Sequence, residues 1–197
     1  MRSPFNSLAF GSALAFALCA SAALIGSGPA AECADRTTLA EHYIGVNNDV
    51  KVESVYCSNN LQSDAGAGTA SELESDLTRR QNDVCGAACT TFCFTPSGGG
   101  PDPNDCNVIQ DALLYDSQNV GQLFTLDPAA NTSQIVMTYN TCQTYILDQT
   151  NSSLTYCRSD WASLVYYIAW NCQSTQNAHG GLCVASDGRW YIQVQHT

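Results

Sequence analysis

The sequence predicts an α+β domain: an antiparallel sheet with two packed helices, an αβα-type sandwich, held by disulfides. Three observations predict it. Two segments carry apolar residues at helical spacing, several short β-branched and aromatic runs alternate with turn residues, and the cysteines partition into even sets.

The first helix starts at Asp102-Pro103-Asn104-Asp105. Asp102 suits the N-cap, Pro103 the first helical position and Asp105 the third. Cys106, Ile109 and Leu113 then form one stripe, and the helix is expected to end near Tyr115. The second begins with Ser159 or Asp160 as its cap, and Trp161, Leu164, Val165, Ile168 and Cys172 share a face. Strands are expected over 90–94, 122–126, 134–140 and 143–148. Asp187-Gly188 is a two-residue hairpin signal between strands at 182–186 and 189–196.

The chain has 197 residues and divides into three parts. Residues 1–30 carry one charge, Arg2, then an apolar run and small residues, the order of a signal peptide. Residues 31–80 read as an acidic pro-segment and linker, with a short helix near Thr38–Tyr43 and an extended Val50–Tyr56. Arg79-Arg80 is a dibasic processing signal at a composition boundary, which starts the mature, cysteine-rich domain at Gln81.

The eleven cysteines agree with that division. Cys19 leaves with the signal peptide, and Cys33 and Cys57 can pair within the pro-segment. Cys85, Cys89, Cys93, Cys106, Cys142, Cys157, Cys172 and Cys183 remain, an even set whose pairing the sequence leaves open. No Cys-x2-Cys knuckle favours zinc, so neither metal nor cofactor is expected. The predicted address is secreted and extracellular, without membrane insertion after processing.

Residues 81–197 contain nine Asp, no Glu, no Lys and two Arg, a net charge of −7. Nucleic acids and anionic membranes are therefore poor partners, whereas neutral glycans carry no charge penalty. Asn131-Thr132-Ser133 and Asn151-Ser152-Ser153 are N-glycosylation sequons in predicted turns. His179 and His196 sit in no nucleophile or metal motif. Asp148, Asp160 and Asp187 read as cap and turn acids rather than as a catalytic pair, so an enzyme is not expected.

The last strand is the most suggestive for binding. Trp190, Ile192, Val194 and His196 share the face expected against the helices. Arg189, Tyr191, Gln193 and Gln195 share the other, a row of amide and phenol groups suited to sugar hydroxyls or to a homodimer surface. Tyr166, Tyr167 and Trp170 form a second aromatic group beyond the buried stripe. The candidate glycan contacts are Tyr191, Gln193, Gln195, Tyr167 and Trp170.

Residues 84–197 resemble a family of secreted fungal glycan-binding proteins, typified by the shaggy-ink-cap antiviral lectin. The resemblance rests on Asp105-Cys106 opening a helix, Thr141-Cys142 after a strand, and Tyr156-Cys157-Arg158-Ser159-Asp160 opening the second helix. Asn171-Cys172, Gly180-Gly181-Leu182-Cys183 and Trp190-Tyr191-Ile192-Gln193-Val194 complete it. It implies an αβα-layered domain that binds glycans or glycoproteins and dimerises through sheet edges. A secreted cysteine-rich effector or killer-toxin-like domain, acting on a host or competitor protein, is the alternative.

Overall fold

The computed structural model describes residues 36–57 and 82–197. Nine strands and two long helices follow in order: β1 Arg36–Ile44, β2 Val50–Cys57, β3 Cys89–Cys93, α1 Pro103–Asn119, β4 Leu123–Leu126, β5 Gln134–Tyr139, β6 Cys142–Asp148, β7 Leu154–Cys157, α2 Arg158–Asn171, β8 Gly181–Ala185 and β9 Trp190–His196. Seven strands form one antiparallel sheet in the order β1-β2-β5-β6-β9-β8-β3, and β4 and β7 form a separate pair.

Strict alternation assigns each strand two faces. Val50, Val52, Met137, Ile146, Trp190, Ile192 and Val194 join Ile109, Leu113, Trp161, Val165 and Ile168 of the helices in one core. Val55, Val136, Tyr145, Leu147 and Tyr191 form a smaller buried cluster from the opposite positions of the same strands. Both long helices therefore pack on one face, with α1 and α2 in extensive mutual contact.

The expected helix near Thr38–Tyr43 is instead β1, and the segment read as a pro-segment supplies two strands of the main sheet. Residues 36–43 are exposed, so they offer no buried stripe to stabilise a helix. Their backbone groups pair with β2, from Arg36 opposite Cys57 to Ile44 opposite Val50. The hairpin turns through Gly45 (φ 89°) and Asn48 (φ 52°), and β2 then pairs with β5 from Lys51 opposite Thr138 to Val55 opposite Gln134. The expected extended stretch over 50–56 corresponds to β2. The expected signal peptide and the dibasic pair lie outside the described residues.

Helix α1 starts as expected, with Asp102 Oδ1 accepting from Asn104 N at 2.9 Å. It runs past Tyr115 to Asn119 because neither Gly nor Pro interrupts it, and Gly121 (φ 148°) ends it with its N–H donating to Asp116 O. Helix α2 starts at Arg158 rather than behind a Ser159 or Asp160 cap. Arg158 N donates to Gln122 O at 2.9 Å, and its guanidinium donates to Gly121 O at 2.6 Å and Leu123 O at 2.7 Å. The chain before β4 thus does the anchoring expected of a capping side chain.

All eight cysteines of the C-terminal part pair: Cys85–Cys157, Cys89–Cys183, Cys93–Cys172 and Cys106–Cys142. Cys57 is also disulfide-bonded, and its partner lies outside the described residues, where the cysteines are Cys19 and Cys33. Beside Cys106–Cys142, the Asp105 carboxylate accepts from Thr141 Oγ1 at 2.6 Å, Thr141 N at 3.1 Å and Asn140 Nδ2 at 3.2 Å. The Thr141 hydroxyl bond is the main reason its acidity rises, holding its pKa below the usual carboxylate value. Asp-Cys at the start of α1 and Thr-Cys at the start of β6 thus form one staple.

Candidate functional site

A broad surface hollow lies between β3 and α2. It is a cleft of about 670 Å³ whose lining includes Gly86, Thr90, Tyr156, Asp160, Ser163 and Tyr167. Its walls have local causes. The Cys85–Cys157 disulfide brings the turn before β3 against the start of α2. Asp160, freed from capping, accepts from Gly86 N at 2.6 Å and fixes that turn. Ser163 Oγ donates back to Ser159 O at 2.9 Å, which leaves its lone pairs toward other donors. Asp160, Ser163 and Tyr167 fall at i, i+3 and i+7, one face of α2.

Tyr156, in the lining, is buried and packed between aromatic rings. Its ring lies 4.8 Å from that of Trp190 and 6.1 Å edge-on from Phe124. Burial, and secondarily the neighbouring Asp160, raises its phenol pKa, so it stays a neutral hydroxyl donor. Tyr167, also in the lining, is 50% exposed and leaves half its ring free. Such a pairing of aromatic face with hydroxyl and carboxylate groups can cover one side of a pyranose and hydrogen-bond its edge.

The candidate residues are not brought together as one surface. Tyr167 lines the cleft. Trp170, 39% exposed, points away toward α1, where Nε1 donates to Asn107 Oδ1 at 3.0 Å and the ring lies 6.2 Å from Tyr166. Tyr191 and Gln193 correct the expectation of an exposed row: they are 3% and 0% exposed. Alternation assigns them to the right face, but that face is buried and Tyr191 packs edge-on against Tyr145 at 5.9 Å. Gln195 is half-buried in an amide chain, accepting from Gln193 Nε2 and donating to Gln143 Oε1. These three residues are internal structure.

The acids are equally separate. Asp187 pairs with Arg189 at 2.7 Å in the β8–β9 turn. Asp148 is buried at the end of β6, directly opposite Trp190 of β9. Its Oδ1 accepts from Thr150 N and Oγ1, both at 2.8 Å, while Oδ2 and the Trp190 indole N–H have no hydrogen-bond partner among the described residues. Desolvation pushes the Asp148 pKa up to about 6. Cys85, Cys157 and Asp160 lie close enough to suggest a metal cluster, but both sulfurs are spent in a disulfide and offer no thiolate. Asn131 and Asn151, the sequon asparagines, are exposed.

Sequence patterns do not single out Gly86, Thr90 or Ser163, and Tyr156 enters only as part of the motif that opens the second helix. Asp160, Ser163 and Tyr167 form a legible polar face on α2, but the opposite wall depends on the Cys85–Cys157 pairing, which spacing alone leaves undetermined. No protein-family model matches the chain, and no curated protein matches it in sequence.

Proposed function

We propose that this is a secreted, non-enzymatic glycan-binding protein of the fungal lectin-like type, with the β3–α2 cleft as its sugar site. The observation that carries the reading is the half-exposed Tyr167 ring sharing the cleft lining with the Asp160 carboxylate and the Ser163 and Tyr156 hydroxyls. Asp160 is the one carboxylate of that lining among the described residues, so the geometry supports holding hydroxyls rather than a paired acid and base. The acidic, Lys-free C-terminal part supports a neutral ligand.

Four disulfides support an oxidising destination, and no described helix is long and apolar enough to cross a membrane. The burial of Tyr145, Leu147 and Tyr191 opposite the helices supports a further layer on that face, as the αβα arrangement requires. Glycosylation at Asn131 or Asn151 belongs to the same reading.

A glycan array probed with the secreted protein tests it. Binding to a defined neutral glycan class, weakened at least about tenfold by Tyr167→Ala, is expected; such a loss corresponds to about 1.4 kcal/mol. Absence of binding to every glycan removes the proposal. One observation favours the alternative, an effector or toxin that grips a protein: Tyr166 and Trp170 expose a paired aromatic surface on α2 outside the cleft lining. Protein capture that survives enzymatic deglycosylation and is lost in Tyr166→Ala/Trp170→Ala would select it.

A further inference from the structure

We infer that cleavage at the dibasic pair creates a two-chain protein, in which the N-terminal hairpin remains as a permanent, non-covalently held part of the sheet. The two-chain state is independent of what the cleft binds. The expected cut adds water across the Arg80–Gln81 bond, leaving a carboxyl group at Arg80 and an amine at Gln81. A discarded pro-segment would have to leave after that step, and the contacts of β1 and β2 oppose its departure.

Strand β2 is an interior strand, paired on one side with β1 and on the other with β5. The β2–β5 ladder runs over Lys51–Val55 and is extended at its end by Ser133, which donates N–H to Val55 O at 3.1 Å and accepts from Cys57 N at 3.0 Å. Val50 and Val52 belong to the same core as both helices, and Val55 belongs to the cluster on the opposite face. The hairpin turn seats on α1: a Cβ at Gly45 would lie 3.0 Å from Ala112 Cβ. Removal would take Val50 and Val52 from one core cluster and Val55 from the other, and expose the backbone edge of β5.

No disulfide replaces these contacts. The four disulfides of the C-terminal part are internal to it, and the cysteines left for Cys57 are Cys19 and Cys33, on its own side of the cut. The two chains are therefore separable by denaturation alone, yet joined when folded.

The test uses the full secreted chain cut by a kexin-type protease, or a version with a site-specific protease sequence placed within 62–75. Two bands on a non-reducing denaturing gel, with both fragments co-eluting in one native size-exclusion peak, are expected. A separate native peak for the hairpin fragment overturns the inference. So does a cut protein, confirmed by mass, that runs as one band until reduced. Gly45→Val forces a branched side chain into a left-handed backbone and against Ala112, and is expected to speed loss of the fragment after the cut. Equal retention in that variant would remove the assigned seat.

Discussion

The two edges of the main sheet are secured by different physics. At one edge, β3 is joined to β8 by Cys89–Cys183 and to the end of α2 by Cys93–Cys172, across sequence separations of 94 and 79 residues. At the other, β1 and β2 form a local hairpin with no crosslink to the remaining strands among the described residues, and ion pairs cover its surface: Arg36 with Glu53 at 3.0 Å, and Lys51 with Glu41 at 3.0 Å. A five-residue strand returning from so far along the chain carries a large closure entropy, which a crosslink removes from the unfolded state. The β1–β2 hairpin itself closes a short loop, but its seam with β5 pairs Val55 with Gln134, 79 positions apart, with no crosslink among the described residues, so packing and backbone pairing carry that closure. Closures of similar length are thus held covalently at one edge and by packing at the other.

That contrast can be broken most directly at β3. Replacing Cys89 and Cys183 together by Ala is expected to lower unfolding free energy by about 4 kcal/mol, measured by denaturant titration. A smaller loss than that of a single hairpin valine would reverse the comparison. At the opposite edge, Val52→Ala removes two methyl groups from a position 3% exposed and is expected to cost about 2 kcal/mol in the same titration. A negligible effect there would mean the hairpin contributes little to the folded unit.

The smallest effect sharpens what lies between the edges. Asp148 has its pKa raised to about 6, so the folded state binds more protons than the unfolded state between about pH 4 and 6. Stability therefore falls as pH rises through that window and the penalty is complete above it. Asp148→Asn is expected to stabilise the protein at pH 7 by on the order of 1 kcal/mol, because its amide keeps the acceptor for Thr150 without a charge, though the new N–H₂ still lacks a partner. At pH 3.5 variant and parent are expected to converge. A constant difference across pH would place the effect in packing instead.

Much of this architecture is legible from local patterns. The Asp102-Pro103 start of α1, the stripe of α2 from Trp161 to Cys172 and the hairpin around Asp187-Gly188 depend on neighbours within a few residues, and each has its counterpart in the fold. β1 departs from its local pattern because its helix-like segment is decided by pairing with β2 and, through it, with a strand far along the chain. Tyr191 and Gln193 show a second limit. Period-two alternation says which side of the sheet a residue occupies, but not whether that side meets solvent. The cleft is half visible in the sequence, as the polar face of α2, and its other wall comes from a cysteine pairing. The Gln122 carbonyl, accepting from Arg158 N, supplies the acceptor that sequence patterns assign to a Ser159 or Asp160 cap, and the Arg158 guanidinium ties the same segment by donating to Gly121 O and Leu123 O.

The β2–β5 seam also sets a timetable for synthesis. Cys57 and its hydrogen-bond partner Ser133 are separated by 76 positions, so a ribosome adding roughly 5–20 residues per second completes the hairpin some 4–15 s before its acceptor strand emerges. During that interval β2 is paired with β1 but its β5-facing edge is open and Val50, Val52 and Val55 have no core to enter, and Lys51 and Glu53, interleaved with them, supply charges that disfavour adding another chain at that edge.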